Sequence, residues 1–120
     1  MGAQKVEDLR VWQKAIDLTV EVYKVSRKLP REEQYGLISQ MQRAAVSIPG
    51  SIAEGFLRAS PKDKARYYNI ARASAEELRT YLILTPKLGY VPPPPSLLVL
   101  LDDVCAMLHR LWEVVLSAQR

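Results

Sequence analysis

Prolines divide this chain before anything else does. Pro30, Pro61 and the run Pro92–Pro95 fall between stretches in which apolar residues recur every three to four positions. A proline lacks the backbone N–H that a helix interior needs and fixes φ, so each marks a boundary. β signals are nearly absent, with no alternating run set between Asn-Gly or Asp-Gly turns. Four helices are therefore expected, at about residues 8–28, 31–57, 61–88 and 97–118. Short connections fold consecutive helices back on one another. The expected architecture is all-α: an antiparallel up-down-up-down four-helix bundle, with residues 1–120 as a single domain.

Each segment carries its own signals. The first opens at Asp8, a candidate N-cap. Arg10, Gln13, Lys14, Asp17, Glu21, Lys24 and Lys28 occupy one arc of about 100°, at about 100° per residue. The rest of its circumference is mostly apolar, which is more than one bundle contact requires. A second buried contact is expected, and its simplest source is another subunit, with Trp12, Ile16 and Tyr23 as interface residues. Glu32 and Glu33 suit the positive end of the second helix dipole, and Gly55 with Ala59–Asp63 marks a turn. Ser60 and Pro61 read as N-cap and first helical residue of the third segment. That segment is expected to bury Tyr67, Ala71, Ala75, Leu78 and Leu82, with its last turn disturbed by Pro86 and ended by Gly89. Pro92–Pro95 forms a stiff connector, and Ser96 is the candidate cap of the fourth helix.

Pro49 is the exception, because it sits inside the second segment, in R-A-A-V-S-I-P-G-S-I-A-E-G-F. It releases the carbonyl of Ala45 and is expected to kink the helix, with Ser47 or a partner side chain satisfying that carbonyl. Gln40, Arg43, Ser47, Gly50, Ser51 and Glu54 recur at steps of three and four, a polar stripe of small residues suited to close helix approach.

The chemistry the chain can support is narrow. His109 is its only histidine and Cys105 its only cysteine. That composition excludes paired Glu-x-x-His di-iron ligation and the common structural zinc sites. No Gly-x-Ser-x-Gly and no Walker loop occurs. Cys105 and His109 are four apart on one helix, but no oxyanion site accompanies them. A packed Cys105 and a solvated or capping His109 are expected, with no catalytic residue, metal or cofactor. A single cysteine and the lack of an apolar leader favour the cytoplasm, and no run approaches the ~20 residues needed to span a membrane.

Net charge is +4, with a pI near 9.3. Residues 8–29 hold five cations against three acids, and residues 59–88 hold six against three. Residues 1–7 and 30–58 balance, and 89–120 are slightly acidic. If the first and third helices share a face, that excess becomes a basic surface, and Arg43, Arg66, Arg72 and Arg79 are the candidate phosphate contacts. Glu76 and Glu77 interrupt this surface, and Arg72 is expected to pair with Glu76 at i,i+4.

Several motifs in order give the chain a family likeness: D-L-R-V-W-Q-K-A at 8–15, Y-G-L-I-S-Q at 35–40, R-A-A-V-S-I-P-G-S-I-A-E-G at 43–55, I-A-R-A-S-A-E-E-L-R-T at 70–80 and L-G-Y at 88–90. It resembles the four-helix-bundle family encoded in intervening sequences of bacterial 23S ribosomal RNA genes. The resemblance implies a short cytoplasmic bundle that assembles as a homopentameric ring and has no established catalytic activity. A related branch serves as the accessory variability determinant of diversity-generating retroelements, and there a basic pentamer binds nucleic acid and a reverse transcriptase. The partners so implied are other copies of the chain, RNA or an RNA–DNA hybrid, and a reverse transcriptase. A purely structural interaction ring is the rival reading. Gln42 stands where the family often has arginine, Ser51 where it has asparagine and Ala73 where it commonly has glycine.

Overall fold

Ser60 and Pro61 start a helix as their order predicts. The Ser60 hydroxyl accepts a hydrogen bond from Asp63 N at 3.1 Å, and Pro61 is the first helical residue. A computed structural model describes residues 2–118 of the chain. They form α1 (Arg10–Ser26), α2 (Leu37–Leu57), α3 (Pro61–Lys87) and α4 (Pro95–Ser117), with short 3-10 turns at Val6–Asp8 and Arg31–Glu33. There is no strand among the described residues.

Each helix packs against the next, and α1 closes on α4. Side-chain pairs give the directions. Ser47 meets Ser74 and Gln40 meets Tyr81 across α2 and α3, while Arg72 meets His109 and Arg79 meets Asp102 across α3 and α4. In each case the number rises on one helix as it falls on the other, as antiparallel neighbours require. The result is a four-helix rod of 47 × 21 × 19 Å. Its core is a continuous line of fully buried side chains, among them Leu18, Met41, Ile48, Ile52, Leu78, Leu82, Leu101 and Leu108.

Several boundaries differ from the sequence expectation, each for a local reason. Asp8 does not cap α1. Its carboxylate accepts the N–H groups of Gln4 and Lys5, which closes the preceding turn and leaves Leu9 at the N-cap. The second helix begins at Leu37 rather than at 31. Glu33 stays in the 3-10 turn and reaches forward, its Oε1 accepting Leu37 N at 3.1 Å. The fourth starts at Pro95 with Pro94 as its cap residue, and Ser96 is already helical. Pro86 does not stop α3, which runs to Lys87. Gly89 then turns the chain at φ +88°, with Gly89 N bonded to Pro86 O and Tyr90 N to Thr85 O. On α3 it is Tyr68, not Tyr67, that enters the core.

Two corrections concern α2. Gly55 lies inside the helix rather than in the turn after it. A Cβ there would sit 2.7 Å from Tyr68 Cε1 and 3.1 Å from Tyr67 Cβ, so glycine is what lets α3 come this close. Pro49 is buried, and α2 continues as helix on both sides of it. The carbonyl it releases is taken not by Ser47 but by a partner side chain, the other of the two expected donors. Thr19 of α1 donates to Ala45 O at 3.1 Å, sharing its hydroxyl hydrogen with Ala15 O of its own helix at 2.8 Å. Ser47 instead pairs with Ser74 at 2.8 Å.

Candidate nucleic-acid interface

The four arginines singled out in the sequence lie in three different places. Arg43 is exposed on the α2–α3 seam, beside a hollow of about 340 Å³ that Gln40, Ser47, Ser74 and Glu77 also line. Arg66 is exposed near the start of α3. Arg72 and Arg79 lie on the α3–α4 seam and are engaged there.

Arg72 stacks its guanidinium 4.2 Å above the Trp112 ring, donates to Asn69 Oδ1 at 3.0 Å and meets His109 Nδ1 at 3.1 Å. His109 Nε2 in turn lies 3.3 Å from Glu113 Oε1. Glu76, the expected partner of Arg72, pairs with Arg79 instead, at 3.6 Å. Arg79 also donates to Asp102 and lies 3.7 Å from Cys105 Sγ. It thus has two carboxylates around it, and the Asp102 hydrogen bond raises its pKa further. Burial pushes the Cys105 thiol up, with Arg79 pulling the other way, so the sulfur stays protonated at neutral pH.

The turn between α2 and α3 gathers cations that spacing alone did not bring together. Arg58 and Arg66 hold their guanidinium carbons 4.7 and 5.0 Å from the Tyr67 ring centre, and both donate to its hydroxyl, at 3.0 and 3.3 Å. Arg58 is also bridged to Glu54 at 2.8 Å, and its buried Nε has no partner. Lys64 caps the end of α2 by donating to the carbonyls of Gly55 and Phe56. Lys62 is exposed beside them. The signal for Arg58 was its i,i+4 spacing from Glu54, but its approach to Tyr67 crosses the turn.

Charge is uneven along the rod. Cutting it at the helix midpoints, the half with the chain ends and the α2–α3 turn (residues 2–17, 48–73 and 107–118) holds nine Lys/Arg against six Asp/Glu. The other half (18–47 and 74–106) holds seven of each. The whole excess of the described residues lies at one end.

Trp12, Ile16 and Tyr23 are all half-buried. The core takes Val11, Ala15, Leu18 and Val22 from α1, which leaves these three on its flank with exposed Val20. Val46 of α2 is exposed as well.

No cluster of three or more His, Cys, Asp or Glu suited to a metal occurs among the described residues, and none of their helices is long and apolar enough to cross a membrane. No curated protein matches the chain. The family model for 23S rRNA-intervening sequence protein matches residues 7–110, which takes in α1, α2 and α3 entire and most of α4. With the match covering most of the chain and reaching into all four helices, the protein belongs to the 23S rRNA-intervening sequence protein family.

Proposed function

We propose that this protein is a non-enzymatic, self-assembling bundle whose basic end binds the phosphates of structured RNA or of an RNA–DNA hybrid. The observation that carries this reading is the one-ended charge: every surplus cation among the described residues lies on the half that holds the α2–α3 turn. Arg66 and Lys62 are exposed there, and Arg58 stands beside them against Tyr67. Arg58 and Arg66 meet at the Tyr67 hydroxyl, and Lys62 precedes Arg66 by one helical turn, so a phosphate there faces clustered cations. Arg43 and Arg72 serve as flanking contacts. Arg79 contributes least, because two carboxylates already neutralise it.

Self-assembly uses the α1 flank. Trp12, Ile16, Val20 and Tyr23 follow at helical steps, half-buried or exposed, and a stripe of this kind is suited to another copy of the chain. A ring would repeat the basic end around its axis and raise the local potential with no further contact.

The test is binding of a labelled hairpin RNA by wild type and by Arg58→Glu/Arg66→Glu. A loss of about tenfold or more with unchanged helicity is expected. Equal affinity would place the contacts elsewhere. Failure of the wild type to bind at low salt would leave self-assembly as the function.

A further inference from the structure

We infer that the groove between α1 and α4 is a docking site for an acidic amphipathic helix of a partner protein. The groove lies on the seam diagonally opposite α2–α3, and its site is independent of the phosphate contacts proposed above. Of the four neighbouring helix pairs, α1 and α4 share the least contact. Two adjoining hollows of about 400 and 300 Å³ open between them, with Arg10, Met107 and Arg110 common to both.

The larger hollow is mostly polar, and the floor of the smaller one is apolar. Met107, Leu111 and Val114 stand at i, i+4 and i+7 on α4, a stripe about 10 Å long at 1.5 Å per residue. Met107 and Leu111 are half-buried, and Val114 is 69% exposed. An unbranched methionine beside branched residues adapts its shape to an incoming side chain. The rim is basic. Arg10 and Arg110 are exposed, and neither has a carboxylate within 4.0 Å among the described residues. Lys14 is held by Asp103 at 3.2 Å on the upper rim.

An apolar floor and a cationic rim favour one kind of occupant. No aromatic side chain lines either hollow, so an unpaired base has no ring to stack on there. A helix with apolar residues at i, i+4 and i+7, flanked by Asp or Glu, fills the floor and pairs with both arginines.

The probe is a synthetic helical peptide with leucines at that spacing and glutamates beside them. It is compared with its scrambled isomer and with a lysine-for-glutamate version. Binding is followed by fluorescence anisotropy and by the methyl NMR signals of Met107, Leu111 and Val114. The glutamate peptide is expected to bind saturably and to shift those methyls. The scrambled and lysine peptides, and the Val114→Asp and Arg110→Glu proteins, are each expected to bind about tenfold more weakly or worse. Val114→Asp should keep the wild-type solution mass. No binding, equal binding of the scrambled peptide, or shifts confined to other methyls would overturn the inference. So would stronger shifts of the same methyls by single-stranded RNA. A fall in the solution mass of Val114→Asp would do so too, by assigning the groove to a second copy.

Discussion

Thr19 of α1 donates a hydrogen bond to the carbonyl of Ala45 on α2, the group that Pro49 deprives of its partner four residues on. A helix-breaking residue in one helix is thereby matched by a hydroxyl from its neighbour. The pairing holds α1 and α2 in register near the middle of the rod. Thr19→Val keeps the shape and removes the donor, and it should cost about 1–3 kcal/mol. In the Pro49→Ala background the carbonyl regains a backbone N–H, and the cost of Thr19→Val should shrink. Denaturant midpoints of the four proteins in this cycle measure the coupling, and strict additivity would contradict it.

Gly55 of α2 lies directly against the Tyr68 ring of α3. Gly55→Ala places a methyl group 2.7 Å from a buried ring carbon, so one of the two helices must shift. A loss of about 1–3 kcal/mol is expected, against the gain that alanine brings at an open helical site. Gly50, with nothing within 4 Å of an added Cβ, is the control: Gly50→Ala should be neutral or stabilising. Thermal melts of both variants check this.

Glu33 links the start of α2 to the α3–α4 connection. Its Oε2 accepts from the Tyr90 hydroxyl at 2.7 Å and its Oε1 from Leu37 N. The Tyr90 bond, followed by the backbone bond, holds the Glu33 carboxyl below its ordinary value. A depressed carboxylate stabilises the fold above its unfolded pKa, and the benefit fades as pH falls through the folded pKa. The same contact raises the Tyr90 phenol, whose contribution is present below its unfolded pKa and is lost as pH rises through the folded one. Tyr90→Phe should flatten stability in the acid range, and a carboxyl NMR titration should return Glu33 toward its ordinary value. An unchanged Glu33 titration would contradict the contact.

Arg79 and Asp102 tie α3 to α4 on a partly exposed seam. Surface pairs of this kind are worth about 0–1 kcal/mol. Arg79→Ala should therefore lower stability slightly and leave RNA affinity close to wild type, whereas Arg66→Ala should lower affinity and leave stability alone. Affinities and melts measured side by side separate the two roles.

The helices were legible because proline and glycine punctuate them, and the core because apolar spacing repeats over long segments. What failed was local or crossed between helices. Tyr67 and Tyr68 differ by one position, about 100° on the helix, and near its first turns the pattern was too short to choose between them. Gly55 looked like a terminus because nothing nearby in sequence announces the Tyr68 ring. Thr19 carries a hydroxyl that only the fold brings to Ala45. The basic end was hidden by counting charge helix by helix: Arg58 fell in a balanced segment and Arg110 in an acidic one, although antiparallel folding puts both in the same half.

The most direct test of a basic end that grips phosphates is the salt dependence of RNA binding by the intact protein, on material of known solution mass. If Arg58, Lys62 and Arg66 each neutralise a phosphate, log K should fall against log salt with a slope of about −2 or steeper. The slope should become shallower by about one for each of these residues replaced by glutamine. A flat line, or a slope that the three replacements leave unchanged, would contradict the assignment.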